Sequence, residues 1–206
     1  SLELTQTIRT QDREGSLLGV IDQTKTPMGA RLLREWVVSP LRVSTDIKYR
    51  QIGVKELFEN SALRREFRDI LGNIYDMERI STKVSCARAN ARDLISLKQS
   101  LSKLPALKDK LTFCITDIFV CLEQQLDVLE EVRILIGTAL VPDPPPAIKD
   151  GGLIREGYDA SLDELRYISK NGKNWIANFQ AEEIERTGIN SLKVGYNKVF
   201  GYYIEV

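Results

Sequence analysis

Residues 187–206 have the sequence TGINSLKVGYNKVFGYYIEV, and this segment decides how the rest of the chain is interpreted. Apolar residues alternate with polar or glycine residues over 192–197, and a second run rich in β-forming residues follows at 199–206. Alternation with a period of two is typical of a strand, so the two runs predict a β-hairpin that turns near Asn197 and Lys198. A small sheet is therefore expected at the end of the chain.

Most of the sequence before the hairpin has the periodicity of amphipathic helices instead. Thr26 and Pro27 form the sharpest local signal, since threonine is a good N-cap and proline is tolerated at the first helical position. Pro105 is expected to stop one helix, and Gly172 is expected to kink another midway. The predicted helices are 17–21, 27–39, 47–58, 61–71, 76–85, 93–104, 113–137 and 159–186.

The fold class predicted is mainly α, with a bundle-like helical core and a long helix that carries the small hairpin. The clearest break is the segment 141–152, VPDPPPAIKDGG, because its prolines cannot continue a helix and Gly151-Gly152 frees the backbone. We therefore expect two domains, residues 1–150 and residues 151–206.

The charge balance excludes a general attraction to polyanions. The chain has 29 basic and 29 acidic residues, so any nucleic-acid binding must come from a local patch. One such patch coincides with the hairpin. Between residues 186 and 204 the chain contains Arg186, Lys193 and Lys198 but no acidic residue.

Several classes of site are disfavoured by composition. The chain has no histidine, and its three cysteines form no CxxC pair, so zinc sites and disulfide scaffolds are not expected. The phosphate loop GxxxxGK[ST] is absent, and the acidic pairs 130–131 and 182–183 are typical of solvated helix faces. We predict no catalytic, metal-binding or cofactor-binding residue in this chain. With no apolar run of about 20 residues and no signal-peptide core, a cytoplasmic location and no membrane contact are expected.

The hairpin has two possible roles. Lys193, Asn197 and Lys198, with Gly195 and Gly201 allowing close backbone approach, could contact the phosphates of a duplex. Alternatively, the two lysines could be solubilising charges that protect a β-edge.

Four segments of the sequence resemble one family. DGGLIREGYDASLDELR (150–166) and ERTGINSLKVGYNKVFGYYIEV (185–206) resemble the lever and clamp of MutS-type DNA mismatch-repair proteins. LLGVIDQTKTPMGARLLREWVVSPL (17–41) and IYDMERIS (74–81) are similar to signatures of the core domain of the same family.

The resemblance implies a function and a set of site residues. Residues 1–150 would be the first segment of the core domain, and 151–206 the lever helix with the first strands of an incomplete clamp sheet. The clamp residues expected to contact the DNA backbone are Lys193, Gly195, Tyr196, Asn197 and Lys198.

The resemblance also implies partners. They are mismatch-containing double-stranded DNA, a second or homologous subunit that completes a dimer, and downstream repair factors of the MutL type. It further implies that this chain is a piece of a longer protein. The mismatch-recognition domain would precede it, and an ABC-type ATPase that uses ATP and Mg²⁺ would follow it. In a bacterium the protein would be associated with the nucleoid.

Two other functions stay open at this point. The chain could be a helical scaffold whose hairpin binds a protein by strand addition. It could also belong to a MutS relative that acts on recombination junctions.

Overall fold

The computed structural model describes residues 2–197, 199 and 201–206, and the chain divides into two compact units, Ser1–Ile154 and Arg155–Val206. The predicted fold class is confirmed, since the structure is mainly α-helical with one small antiparallel hairpin. The helices of the first unit are α1 Leu17–Ile21, α2 Pro27–Val38, α3 Ser44–Glu59, α4 Ser61–Leu71, α5 Met77–Ser85, α6 Ala91–Leu101, α7 Leu104–Leu111, α8 Asp117–Gln125 and α9 Glu130–Ala139. The second unit contains α10 Ala160–Lys170, α11 Gly172–Thr187, β1 Lys193–Asn197 and β2 Gly201–Glu205.

Local capping determines where several helices begin. The side chains of Ser16, Thr26 and Asp76 accept hydrogen bonds from the backbone N–H groups of Gly19, Gly29 and Arg79. Thr26 is the N-cap that the sequence predicts, and each of the three side chains satisfies a donor that would otherwise lack a partner.

The core of the first unit lies where α4 packs on α7, where α6 packs on α9, and where the end of α6 meets the start of α7. Apolar side chains form three clusters, and Leu101 is the most deeply buried of them, with 2% of its surface exposed. The polar Ser100 is fully buried beside it, where its hydroxyl accepts from the Tyr75 N–H and donates to the Ser96 carbonyl. The buried residues of the clusters are Leu63, Phe67, Ile74, Ala91, Ile95, Leu101, Leu104, Leu111, Cys114, Ile136 and Leu140.

The prediction that Pro105 stops a helix at Leu104 is wrong. Helix α6 ends at Leu101, and Pro105 lies in the first turn of α7. Proline is tolerated there because the first N–H groups of a helix have no intrahelical partner in any case.

The prediction of a single long helix at 113–137 is also wrong, since the segment forms two shorter helices, α8 and α9. Leu129 between them has a left-handed φ of 50°, and its N–H donates to the carboxylate of Asp127. A residue of α3 fixes the backbone just before α8. The Glu56 carboxylate accepts hydrogen bonds from the N–H groups of Ile115 and Thr116 and from the Thr116 hydroxyl.

The late start of α8, at Asp117, separates two cysteines that a single helix over 113–137 would place seven residues apart on one face. Cys114 precedes α8 and is buried, whereas Cys121 lies within α8 and is exposed. Burial raises the pKa of the Cys114 thiol to about 11, with a smaller contribution from the negative charge of Glu56. Cys114 therefore behaves as a small core hydrophobe, and the exposed Cys121 does not.

The proline-rich segment reverses the chain within the first unit. Leu140 and Ile154 form an antiparallel bridge, and the Val141 N–H donates to the Leu153 carbonyl at 3.0 Å. The side chain of Arg92 supports the reversal by donating to the carbonyl of Pro144 at 2.9 Å.

In the second unit, the one helix predicted at 159–186 is two helices, α10 and α11, separated at Asn171. The Asn171 N–H and its side-chain amide both donate to the Tyr167 carbonyl, so the residue ends α10 and the next helix restarts at Gly172. The ends of the segment agree with prediction, since Asp159 caps α10 and Gly188 ends α11 with a left-handed φ of 72°.

Candidate nucleic-acid interface

Alternation along β1 decides which of the predicted contact residues share a face, and the hairpin register decides which residues of β2 lie opposite them. Strands β1 and β2 are antiparallel, with Lys193 opposite Glu205, Gly195 opposite Tyr203 and Asn197 opposite Gly201. Because alternate residues of a strand point to opposite faces, these positions form one face of the hairpin, here called the Lys193 face.

Tyr196 lies on the other face of the hairpin, directly opposite Tyr202. The centroids of the two rings are 4.9 Å apart with an interplanar angle of 57°, an arrangement favoured by aromatic quadrupoles. The structure therefore does not bring Tyr196 together with Lys193 and Asn197.

One of the two polar groups of the Asn197 side chain is used in the turn. Its side-chain oxygen accepts a hydrogen bond from the Val199 N–H at 2.8 Å, as in an Asx turn, which leaves the side-chain N–H₂ group to donate elsewhere. Lys193 is exposed at the start of β1. Lys198, also predicted as a contact, lies outside the described residues.

The local charge is less positive than the sequence indicates. Arg186 forms hydrogen bonds with both carboxylate oxygens of Glu183, which lies one turn earlier in α11. This contact raises the pKa of Arg186 and lowers that of Glu183. Glu205 lies one residue beyond the segment 186–204, which has no acidic residue, and it is the cross-strand partner of Lys193. The positive charge of the described part of the hairpin therefore depends on Lys193, and the carboxylate of Glu205 lies opposite that residue.

Strand β1 is attached to helix α11 by a side chain that the sequence does not single out. The Gln180 side-chain oxygen accepts a hydrogen bond from the Val194 N–H at 3.0 Å. The bond occupies a backbone donor on the edge of β1, where an added strand would have to pair. Only tertiary contact reveals this role of Gln180.

Residues of the hairpin and of α10 and α11 line an apolar groove of about 530 Å³ within the second unit. Trp175 and Phe179 of α11 stack in its wall with ring centroids 5.4 Å apart. The residues that line the groove are Ile168, Ser169, Gly172, Trp175, Ile176, Phe179, Val194, Tyr202, Tyr203 and Ile204.

Among residues 2–197, 199 and 201–206, no group of three or more histidine, cysteine, aspartate or glutamate side chains is arranged to hold a metal ion. Within the same residues, no helix is both long enough and apolar enough to span a membrane.

Comparison with known proteins identifies the family. The model of MutS domain III matches residues 1–196. The chain belongs to the MutS domain III family. It is 50% identical over all 206 residues to the DNA mismatch repair protein MutS of Acetivibrio thermocellus and covers 24% of that protein. It is also 50% identical to the MutS of Halothermothrix orenii and 48% identical to that of Clostridium tetani. Both alignments include the whole chain and 23% of the relative.

These matches also show what share of a whole MutS protein the chain represents. The chain spans about a quarter of the length of the curated relatives that it matches. The MutS resemblance of residues 17–41, 74–81 and 150–206 is thereby confirmed at the level of the family.

Proposed function

We propose that this chain is the domain III segment of a DNA mismatch-recognition protein, and that it contributes nonspecific contact with the DNA backbone. The observation that carries the proposal is the whole-length match to proteins named DNA mismatch repair protein MutS, at 50% identity. The relatives are about four times as long, so the activity of a whole MutS protein is proposed for the longer protein that contains this segment and not for the segment alone.

Each compact unit has a proposed part in this function. Residues 1–150 are proposed to be the core domain and 151–206 the lever helix with the first strands of the clamp, and the division into units Ser1–Ile154 and Arg155–Val206 supports a boundary near these bounds. Three buried clusters give the first unit a core of its own, which suits a structural role. Two helices, α10 and α11, take the place of the single long helix that the sequence predicts, and the break at Asn171 lies next to Gly172, where a kink was expected.

The Lys193 face is the proposed DNA contact surface. Lys193 supplies a positive charge, Asn197 keeps a side-chain donor, and Gly195 adds no side chain between them. Such groups bind phosphates without distinguishing bases, so matched and mismatched duplexes should bind this surface alike. Lys198 completes the proposed contact set, and Tyr196, on the other face, supports the hairpin by packing on Tyr202.

The remaining functions of a mismatch-recognition protein are proposed to lie outside this segment. They include ATP hydrolysis with Mg²⁺, dimerisation with an identical or homologous subunit, and recruitment of MutL-type factors. No enzyme activity is proposed for the segment itself. A cytoplasmic, nucleoid-associated location is proposed for the protein that contains it.

A charge-reversal experiment tests the proposal. Lys193→Glu combined with Lys198→Glu in the full-length protein should weaken binding of matched and mismatched duplex alike. It should also flatten the decline of log affinity with log salt concentration, since fewer counterions are released. Lys149→Glu combined with Lys170→Glu makes the same change in net charge at two residues outside the hairpin, and it should leave the salt slope unchanged. An identical slope in both double variants would count against the Lys193 face as the contact surface.

The same titration separates the two other functions. A protein scaffold that works by strand addition would show no salt-dependent retardation of DNA, and the bond from Val194 to Gln180 already occupies part of the β1 edge. A relative devoted to recombination junctions would bind four-way junctions in preference to mismatched duplexes. The names of the relatives favour mismatch repair over that alternative.

A further inference from the structure

Tyr203 reaches across the hairpin and covers Gly195 on the Lys193 face. A Cβ atom placed on Gly195 would lie 2.6 Å from Cζ and 2.7 Å from the hydroxyl oxygen of Tyr203. Since both distances are shorter than any normal contact, the tip of the phenol ring occupies the space that a side chain at position 195 would fill. The Tyr203 ring, which belongs to β2, therefore packs on Gly195 of β1, between the β1 positions of Lys193 and Asn197.

The hydroxyl of Tyr203 is available to a ligand. The residue is 46% exposed, and within the described part of the chain its hydroxyl has no hydrogen-bond partner. A phenol hydroxyl is a good donor to anionic oxygen, and tyrosine is among the side chains that contact DNA phosphates. Lys193 and Asn197 are two residues away from Gly195 on either side, about 7 Å along the strand at the usual rise. A phosphate bound by either side chain would be close to the Tyr203 hydroxyl.

We propose that Tyr203 is a further DNA contact, whose hydroxyl donates a hydrogen bond to a phosphate oxygen of the duplex, and that Gly195 is a positioning residue that seats its ring. The proposal rests on the proposed function of the Lys193 face. It adds a neutral donor to a surface whose described positive charge is limited to Lys193. It also assigns Gly195 a specific role, since any side chain there would displace the ring.

Tyr202 provides a matched control because it is the next residue and has the same chemistry, but it lies on the opposite face beside Tyr196. Tyr203→Phe removes one hydroxyl and keeps the ring, whereas Tyr202→Phe removes a hydroxyl from the other face. Both variants of the full-length protein are titrated with a matched duplex at several salt concentrations, at a temperature where circular dichroism shows every variant fully folded.

The expected result is a loss of affinity of about three- to tenfold for Tyr203→Phe, the usual effect of removing one hydrogen bond. The loss should be the same at every salt concentration, because no charge and no released counterion changes. Tyr202→Phe should bind like the unmodified protein. Gly195→Ala, which keeps all the donors but displaces the ring, should weaken binding at least as much as Tyr203→Phe.

Three outcomes would overturn the inference. If Tyr203→Phe binds normally while the double lysine variant is weakened, the DNA interface stands and Tyr203 has no part in it. Equal losses for the two tyrosine variants would refute the assignment to the Lys193 face. If neither the tyrosine variants nor the lysine variants alter binding, the proposed function itself fails.

Discussion

Lys193 and Glu205 are directly opposite partners in the hairpin ladder, so the basic residue of the proposed DNA surface faces a carboxylate of the same sheet. Both side chains are exposed. A phosphate bound near Lys193 would be repelled by Glu205, so we expect the carboxylate to limit the affinity of the proposed surface for DNA at low salt.

Removing that negative charge should strengthen DNA binding. Glu205→Gln is expected to increase affinity for a duplex about threefold at low ionic strength, the effect of one unit charge at about 7 Å in water. The gain should disappear near 1 M salt, where the screening length falls to about 3 Å. Fluorescence anisotropy titrations at two salt concentrations measure it. Glu185→Gln, an exposed change on α11, is the control, and an equal gain there would show that only net charge matters.

The ion pair between Arg31 and Asp76 should make the stability of the first unit sensitive to acid. Arg31 donates to both carboxylate oxygens of Asp76, at 2.7 and 2.6 Å, and these bonds lower the pKa of Asp76 to about 2. Because this folded pKa is below the unfolded value, the stabilisation is complete above about pH 4 and is lost as the pH falls through about 2.

Asp76→Asn isolates that contribution, since asparagine can still cap α5. We expect the free energy of unfolding to fall by about 1 kcal/mol at pH 7, and the difference from the unmodified chain to be about half as large at pH 3. Urea unfolding at the two pH values measures both quantities. Glu78→Gln removes the more exposed partner of Arg31 and should cost less at pH 7. A difference that does not change with pH would contradict the assigned role of Asp76.

Gly53 allows α3 and α8 to approach closely. A Cβ atom at this position would lie 2.7 Å from Cγ2 of Ile118, a branched side chain that cannot easily move aside. Gly53→Ala should therefore lower the free energy of unfolding by about 1–3 kcal/mol, despite the better helix propensity of alanine.

Gly137→Ala is the matched control for Gly53, since it also places alanine within a helix of the first unit. Its nearest neighbour is the flexible end of Lys98, at 3.1 Å, so the helical preference of alanine should win and stability should rise by up to about 1 kcal/mol. Thermal unfolding of the two variants gives the comparison. Similar shifts in both would mean that the contact with Ile118 does not limit packing.

The predictions that succeeded from sequence are those that depend on neighbouring residues. Thr26 caps α2 as predicted, because a cap acts on an N–H group three residues away. The hairpin also forms where the alternation predicts it.

The predictions that failed depended on remote residues or on an unrecognised turn. Periodicity indicated one helix over 113–137, but it cannot show that Glu56, about 60 residues earlier, binds the backbone where α8 begins. The left-handed Leu129 and the bond from its N–H to Asp127 then complete the break. Local hydrogen bonds of this kind compete with a helix that apolar periodicity alone would continue.

The hairpin shows the same division between sequence and tertiary structure. The sequence by itself determined the family, the mainly helical fold and the strands, because these follow from local periodicity and long motifs. Only the tertiary structure decided that Glu205 opposes Lys193 and that Tyr203 covers Gly195. The physical reason is the strand register, since a shift of one residue in pairing would change which side chains are neighbours across the sheet.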